Sequence, residues 1–256
     1  STLVLAMIFY LLQMYADFSG YSDMAIGVGK LLGFSITANF KAPLFALNIA
    51  DYWKRWHISL TAWLTDYVFM PLNIKFRELD KLGIILAILI NFILIGFWHG
   101  ADWTFGLFGL YHGLLYIPLI LSGAFYKKDK LKINKLSLPT FKDTCRIMLT
   151  LIFVIIGLIL FRAPNLSSAW IYVKGIFDLS LFSLPWLYSY YFYVPILISI
   201  TIMIIVEWIE RKNDGYPTFS KLSTKRWMRW LFYISLLIMI LFFGAFNNQQ
   251  YIYFQF

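Results

Sequence analysis

Two long apolar runs, residues 82–97 and 104–125, flank a short polar joint, and this pattern limits what the chain can fold into. Each run is close to the length that an α-helix needs to cross the hydrocarbon core of a bilayer. Further apolar runs cover residues 2–16, 147–161, 190–206 and 230–246. The runs are continuous, without the period of two that is typical of a transmembrane β-barrel. The sequence therefore predicts an all-α, polytopic integral membrane protein.

The charge of the chain supports this class. Only 14% of the residues are charged, whereas a soluble domain has roughly a quarter. The net charge of +9 would suggest nucleic acid as a partner of a soluble protein. Here the Lys and Arg residues lie between the apolar runs, where positive charge marks the cytoplasmic side of a membrane. We therefore expect membrane lipids, and no nucleic acid, as partners.

The basic segments also predict an orientation. Segments 126–146 and 207–229 are rich in Lys and Arg and are separated by two apolar runs, so both are expected in the cytoplasm. The charged segment 69–81 is read as a loop on the same side. Segments 163–188 and 247–256 are then external, and the joint at 98–103 lies toward the external side or in a cavity that opens there. The expected location is the inner (cytoplasmic) membrane.

Few residues suit a metal or a disulfide. Cys145 is the only cysteine, and the three His residues are not closely spaced, so the sequence predicts no internal disulfide, no metal site and no bound cofactor. The chain begins at Ser1 without a charged n-region or a cleavage site, which is not typical of a secretory signal. We expect residues 1–256 to form a single membrane domain, the C-terminal portion of a longer chain.

The joint between the two runs reads Ile95-Gly-Phe-Trp-His-Gly-Ala-Asp-Trp103. An ionisable residue such as His99 is expensive to keep at membrane depth, so its default interpretation is functional. Burial would keep the imidazole neutral and able to accept a proton. Trp98 adjoins it, and Asn91, two helical turns earlier, is expected to reach the same cavity. A packing role for His99 remains the alternative.

Two neighbours of the joint have competing interpretations. Asp102 either orients a His ring or caps the next helix, and capping is favoured. His112 follows His99 by thirteen residues, which at 100° per residue places it on another helix face. Helical periodicity therefore gives no support for a His–His pair, although His112 remains a candidate for lining the substrate path.

Two polar stretches precede the joint. Asp17 or Ser19 is expected to cap a helix beginning near Tyr21. For Asp17 and Asp23, capping and interhelical hydrogen bonding compete with a direct part in the reaction, and both residues, with Ser19, are candidates for lining the substrate path. Segment 51–67 interleaves charged and aromatic residues too densely for a simple span, which predicts an amphipathic or re-entrant segment. It is either an interfacial anchor or the polar lining of a substrate tunnel, and His57 separates the two interpretations. The residues of this segment concerned are Trp53, Lys54, Arg55, Trp56, Trp63 and Tyr67.

Several motifs occur in a fixed order along nearly the whole chain. They are Tyr15-Ala-Asp-Phe-Ser-Gly-Tyr-Ser-Asp-Met-Ala-Ile-Gly27, Leu32-Gly-Phe34, Asn39-Phe40, Trp53-Lys-Arg-Trp-His-Ile-Ser-Leu60, Asp66-Tyr67, Gly96-Phe-Trp-His-Gly100, Phe161-Arg-Ala163 and the C-terminal Tyr251-Ile-Tyr-Phe-Gln-Phe256. Together these motifs closely resemble the membrane-bound O-acyltransferase family, above all its bacterial alginate O-acetyltransferase branch, which is related to the teichoic-acid D-alanyl transfer proteins.

The resemblance implies helices around a funnel or tunnel through the membrane. It implies that His99 is catalytic and that His57 is a second motif position in the core. It also implies transfer of an acyl group, acetyl being our choice, from a thioester on the cytoplasmic side to a hydroxyl of an exported polysaccharide or cell-wall polymer. Acetyl-CoA or an acyl-carrier thioester is the expected donor. A periplasmic transferase is a possible partner.

Two other functions compete with catalysis. A transporter or exporter would use the same polar cavity, but it predicts an internal repeat and paired discontinuous helices, and the sequence shows neither. A non-catalytic scaffold for a periplasmic transferase would tolerate replacement of His99 but not of the external loops.

Overall fold

The computed structural model describes residues 1–127, 131–132, 138–178, 182–183, 190–211 and 225–244. Its architecture is all-α, as the sequence predicts. The α-helices are α1 (Thr2–Leu31), α2 (Ile49–Trp53), α3 (Ile58–Leu64), α4 (Met70–Lys75), α5 (Asp80–His99), α6 (Trp103–Leu114), α7 (Ile117–Leu121), α8 (Phe141–Arg162), α9 (Leu166–Ile176), α10 (Tyr190–Glu210) and α11 (Arg226–Phe243). A π-helical segment (Thr65–Phe69) and 3₁₀ turns at Pro43–Phe45, Arg77–Leu79 and Ala124–Tyr126 complete the described helices.

Within the described ranges, four helical segments are long and apolar enough to cross a membrane: Thr2–Leu31, Arg77–His99, Trp103–Leu121 and Phe141–Arg162. A shorter apolar helix covers Tyr193–Ile209. The predicted class, a polytopic helical membrane protein, is thereby confirmed. Several parts of the orientation argument lie outside the described residues. They are Lys128, Lys130, Lys135, most of 207–229, and the tail 247–256 with its terminal motif.

The first helix corrects one sequence prediction. The sequence predicted separate helices before and after 17–20, but α1 runs unbroken from Thr2 to Leu31. Ser19 stays inside it by donating from Oγ to the carbonyl of Ala16 at 3.5 Å. A break would leave backbone groups without partners at membrane depth, whereas a continuous helix satisfies them internally. The helix ends at Leu31, and the chain turns away at Gly33, whose φ of +82° suits a residue without Cβ.

Other boundaries also differ from the sequence prediction. Segment 69–81 is helical rather than a loop, because a π segment, α4 and a 3₁₀ turn follow one another directly. The predicted single helix over 103–125 is interrupted after Leu114, and α7 restarts with Pro118 in its first turn, where a missing N–H is tolerated. In the predicted external segment 163–188, α9 forms behind the cap of Asn165, which accepts from Ser168 N at 2.8 Å.

The described residues divide into two compact units, residues 1–15 with 42–186 and residues 16–41 with 187–256. In the first unit, α5 and α6 approach so closely that a Cβ on Gly96 would lie 2.1 Å from the carbonyl oxygen of Phe105, and one on Gly109 would lie 2.1 Å from that of Phe92. Small residues allow such approaches between membrane helices. The Tyr111 hydroxyl then ties α6 to α8 by donating to the carbonyl of Phe153 at 3.0 Å.

The second unit contains the C-terminal half of α1, the extended segment that follows it, α10 and α11. The ring of Phe18 packs edge-on against that of Phe40, with 4.9 Å between centroids. The Asn39 side chain donates to Ser22 Oγ at 3.3 Å. These contacts fold the extended segment back along the helix.

Candidate active site

His99 is the last residue of α5, and its neighbour Gly100 turns the chain toward α6. The turn is tight, because a Cβ on Gly100 would lie 2.5 Å from the ring of Phe105. Asp102 caps α6 by accepting from Thr104 N at 3.2 Å. The interpretation of Asp102 as a helix cap is therefore confirmed, and its carboxylate stabilises the joint that holds His99.

The His99 imidazole is half-buried among aromatic rings. Its ring centroid lies 5.0 Å from that of Phe161 on α8, 6.4 Å from that of Phe108 on α6 and 4.9 Å from that of Trp98. Neither Phe108 nor Phe161 is among the predicted site residues, because neither is polar and their proximity to His99 depends on how three helices pack. Together these rings form an apolar wall around an imidazole that stays partly accessible.

His57 reaches the same place from a distant part of the chain. It lies in the turn between α2 and α3, is 7% exposed, and its ring packs edge-on against Trp98 with 5.5 Å between centroids. Trp98 thus contacts both His57 and His99. The fold therefore brings the two predicted catalytic residues into contact with one indole.

The backbone and the burial of His57 are both unusual. Its φ of +47° places it in the left-handed region, which costs a non-glycine residue of order 1–3 kcal/mol. Burial lowers the pKa of His57 to about 4, because a charged imidazole loses its hydration there. The side chain is therefore neutral at pH 7, and the surrounding packing holds it in a conformation that the residue does not prefer by itself.

His112 occupies a second, deeper position. It is 1% exposed, and its Nδ1 accepts from Trp53 Nε1 at 3.3 Å. A neutral His112 therefore carries its proton on Nε2. Its ring centroid lies 4.7 Å from that of Phe108, which is also a neighbour of His99. His112 thus supports the aromatic wall from behind, and the contacts around it give no direct pair with His99.

The first part of segment 51–67 is buried within the protein, whereas the second part stays largely exposed. Trp53 and Trp56 are buried, so the interpretation of these two residues as a lipid-facing anchor is wrong. Trp56 stacks on Tyr52 at 5.5 Å between centroids, because two short helices joined by a turn give those rings protein neighbours. Trp63 and Tyr67 remain exposed and pack on each other at 5.1 Å.

Arg55 has a structural partner. Its Nε donates to Asp51 at 2.8 Å, and the same carboxylate accepts from Leu47 N at 3.0 Å. The pair holds the turn that presents His57. Asn91 is buried on α5, and its Oδ1 has no hydrogen-bond partner within the part of the chain that the structure describes. Its predicted place in the substrate path stays a prediction.

Asp17, Ser19 and Asp23 all lie within α1 and belong to the second unit. No helix begins at Tyr21, so the predicted capping role of Asp17 and Ser19 is wrong. Asp17 is half-buried and Asp23 is exposed. Their part in the reaction stays a prediction.

The fold is an all-α membrane fold, and two His residues lie around one indole at the end of an apolar helix. These features define the class of protein: a helical integral membrane protein with a His-based candidate active site. The chain belongs to the membrane-bound O-acyltransferase family, whose model matches residues 1–162.

Relatives of the chain fall within the same family. It is 38% identical over 171 residues to the peptidoglycan O-acetyltransferase of Helicobacter pylori, a match that covers 67% of this chain and 31% of that protein. It is 36% identical over 173 residues to the probable alginate O-acetylase AlgI of Pseudomonas aeruginosa, covering 66% and 30%. Identity to the teichoic acid D-alanyltransferase of Bacillus subtilis is 33% over 161 residues, covering 59% and 39%. The chain thus spans about a third of the length of these curated relatives.

Proposed function

We propose that this protein is a membrane-bound O-acyltransferase that moves an acyl group, acetyl in our proposal, to a hydroxyl of an exported polysaccharide or cell-wall polymer. Membership of the family supports the reaction type. The names of the relatives, which act on peptidoglycan, alginate or teichoic acid, support the kind of acceptor. The observation that carries the assignment is the half-buried His99 ring, walled by Phe108 and Phe161 beside His57.

In this proposal a neutral His99 nitrogen accepts the proton of the acceptor hydroxyl while the hydroxyl oxygen attacks the acyl carbonyl of a thioester donor. The carbon–sulfur bond breaks as the ester forms, and the leaving thiolate takes the proton from the imidazolium of His99. Acetyl-CoA or an acyl-carrier thioester supplies the acyl group. A positioned base of this kind contributes about 10²–10⁴ in rate.

His57 is the second catalytic residue of the proposal. With a pKa of about 4, it stays neutral through the physiological range and places no positive charge beside His99. A neutral imidazole can donate one hydrogen bond and accept another. We assign it the role of holding the acceptor hydroxyl or the donor carbonyl in line with His99.

The proposed location is the inner membrane. The positive-inside rule places the basic segments in the cytoplasm and the end of α5 toward the external side. The donor then approaches from the cytoplasm and the acceptor from outside. A periplasmic transferase that receives the acyl group first and passes it to the polymer is compatible with the same site.

Replacement of His99 tests the proposal in the organism that carries the gene. The variants are His99→Ala and the near-isosteric His99→Asn, which keeps polar contacts but is not a base at neutral pH. Trp103→Phe, at an exposed ring near the joint, is the matched control. The readout is the amount of carboxylic acid that alkaline hydrolysis releases from purified cell-surface polymer. The amount of the protein in the membrane is measured in the same cells.

We expect both His99 variants to accumulate in the membrane while polymer esters fall at least about 100-fold, and Trp103→Phe to keep them. Wild-type ester levels in either His99 variant would exclude His99 as the base. Loss in His99→Ala alone, with activity retained in His99→Asn, would point instead to a polar role for that position.

A further inference from the structure

A cavity of about 440 Å³ lies on the face of α8 that points away from His99. Its walls come from the N-terminal half of α1, the last turn of α8 and the start of α9, all within the first unit. Its volume is within the usual range for small-molecule sites, roughly 300–1,000 Å³. The lining is apolar apart from Tyr10, Gln13, Arg162, Ser168 and Tyr172, and no lining residue is acidic.

The last turn of α8 separates this cavity from the proposed active site. Phe161 points to one side and contacts His99. Arg162, the next residue, lies about 100° around the helix and lines the cavity together with Ile159 and Ala163. The cavity and the site are therefore supported by the same helical turn.

Arg162 is available to a ligand. In the part of the chain that the structure describes, no carboxylate pairs with it. Its guanidinium carbon lies 5.8 Å from the centre of the Tyr10 ring, an arrangement that orients the planar group without using its N–H donors. A guanidinium presents these donors in a fork that matches carboxylate and phosphate oxygens.

Tyr10 adds a second observation. It lines the cavity, yet its hydroxyl is buried and has no hydrogen-bond partner among the described residues. A buried hydroxyl without a hydrogen-bond partner is unfavourable unless a ligand or a water molecule supplies the missing hydrogen bond. The Tyr172 hydroxyl closes the opposite wall by donating to the carbonyl of Leu3 at 2.8 Å.

The N-terminal end of α9 favours the same kind of ligand, whereas the C-terminal end of α8 does not. Ser168 lies in the first turn of α9, and Asn165 caps that helix. The N-terminal end of a helix carries partial positive charge. A guanidinium, a positive helix end and hydroxyl donors, with no acidic lining residue, suit an anionic oxygen group. The attraction of Arg162 to the C-terminus of α8 explains a cation at this position, but it does not explain why the Tyr10 hydroxyl beside it has no partner among the described residues.

We propose that this cavity binds an anionic group, a carboxylate or a phosphate, of the acceptor polymer, with Arg162 as the principal contact and Tyr10 as a second donor. The identification of the ligand as the acceptor rests on the proposed function. The cavity would then hold a charged unit of the polymer while a hydroxyl of the same chain reaches His99, so it would select anionic acceptors over neutral ones.

Binding is tested with purified protein in uncharged detergent at low salt. The probes are a fluorescent oligogalacturonate, which carries carboxylates, a fluorescent oligoglycerol phosphate and a neutral malto-oligosaccharide. The variants are Arg162→Ala, Arg162→Lys and Tyr10→Phe. Lys174→Ala is the matched control. Lys174 is a cation on α9 that stacks on Trp170 of the same helix, and it does not line the cavity.

We expect one of the anionic probes to bind, and Arg162→Ala to weaken that binding about ten- to a hundredfold, the worth of a charge-assisted hydrogen bond. Arg162→Lys should weaken the affinity for the probe less than Arg162→Ala does, and Tyr10→Phe should weaken it a few-fold. The affinity of Lys174→Ala should stay within about twofold of wild type. Equal binding of the neutral oligosaccharide, or unchanged affinity in Arg162→Ala, would overturn the proposal.

A second experiment tests whether the cavity binds lipid instead, with the protein in nanodiscs that contain phosphatidylglycerol. Competition by that lipid that depends on Arg162, without oligomer binding, would assign the cavity to lipid and also overturn the proposal.

The first experiment separates failure of this inference from failure of the proposed function. His99→Ala should keep the affinity for the anionic probe while losing ester transfer. Retained transfer in His99→Ala with Arg162-dependent binding would refute the catalytic assignment alone. Loss of transfer in His99→Ala with Arg162-independent binding would refute the acceptor site alone.

Discussion

Gly96→Ala should separate the two helices that carry the joint. A Cβ at this position would lie 2.1 Å from the carbonyl oxygen of Phe105 and 3.2 Å from the backbone nitrogen of Gly109. Carbon–oxygen contacts are normally no shorter than about 3.3 Å, so α5 and α6 must move apart by roughly 1 Å. Both obstructing atoms belong to the backbone, and no side chain can yield instead.

The expected loss of stability is about 3 kcal/mol, at the upper end for overpacking. For a chain of this size that corresponds to a fall in Tm of roughly 6–12 °C. Because Gly96 lies one turn before His99, the shift also moves the imidazole relative to Phe108, and a misplacement of about 1 Å can reduce activity about 100-fold.

The assay is thermal unfolding of detergent-solubilised protein, followed by fluorescence-detected size exclusion, together with polymer ester content. Gly27→Ala is the matched control, since a Cβ there meets nothing within 4 Å and alanine is the better helix former. Gly27→Ala should leave Tm unchanged or slightly raised. The close packing of α5 on α6 would be refuted if Gly96→Ala had the same Tm as Gly27→Ala and kept the full ester content of the polymer.

Three further substitutions test the surroundings of the site. His57→Asn, in which Asn tolerates the left-handed backbone, should make the stability less sensitive to acid. The pKa of His57 is about 4 in the folded protein and 6.5 in the unfolded chain, so the wild type loses up to about 3 kcal/mol of stability as the pH falls from 6.5 to 4. An equal dependence of Tm on pH in both proteins would contradict this. Asp102→Ala should cost about 1 kcal/mol as a lost cap yet retain ester transfer, which distinguishes capping from orientation of a His ring. Trp53→Phe should cost about 1–3 kcal/mol because it leaves Nδ1 of buried His112 without its donor, whereas Trp63→Phe, at an exposed ring, should melt as wild type.

The sequence predicts well where helices are set by composition and local chemistry. The apolar runs become α5, α6 and α8, and the cap at Asp102 follows from its position before an apolar helix. Prediction fails where polar residues look like a break but the membrane requires continuity, as at Asp17 to Asp23 in α1.

The residues themselves determined the class of protein, the candidate bases, the presence of the main apolar helices and the cap at Asp102, because hydrophobic length and capping act between neighbours in the chain. The tertiary structure alone decided that His57 and His99 share Trp98, that Phe161 walls the site and that Arg162 faces a cavity. Helix periodicity indicates which face of a helix is buried but not which helix will cover it. That choice depended on close backbone contacts at Gly96 and Gly109 and on the space that Gly157 leaves for the side chains of His112 and Tyr111, which take effect only when the helices meet.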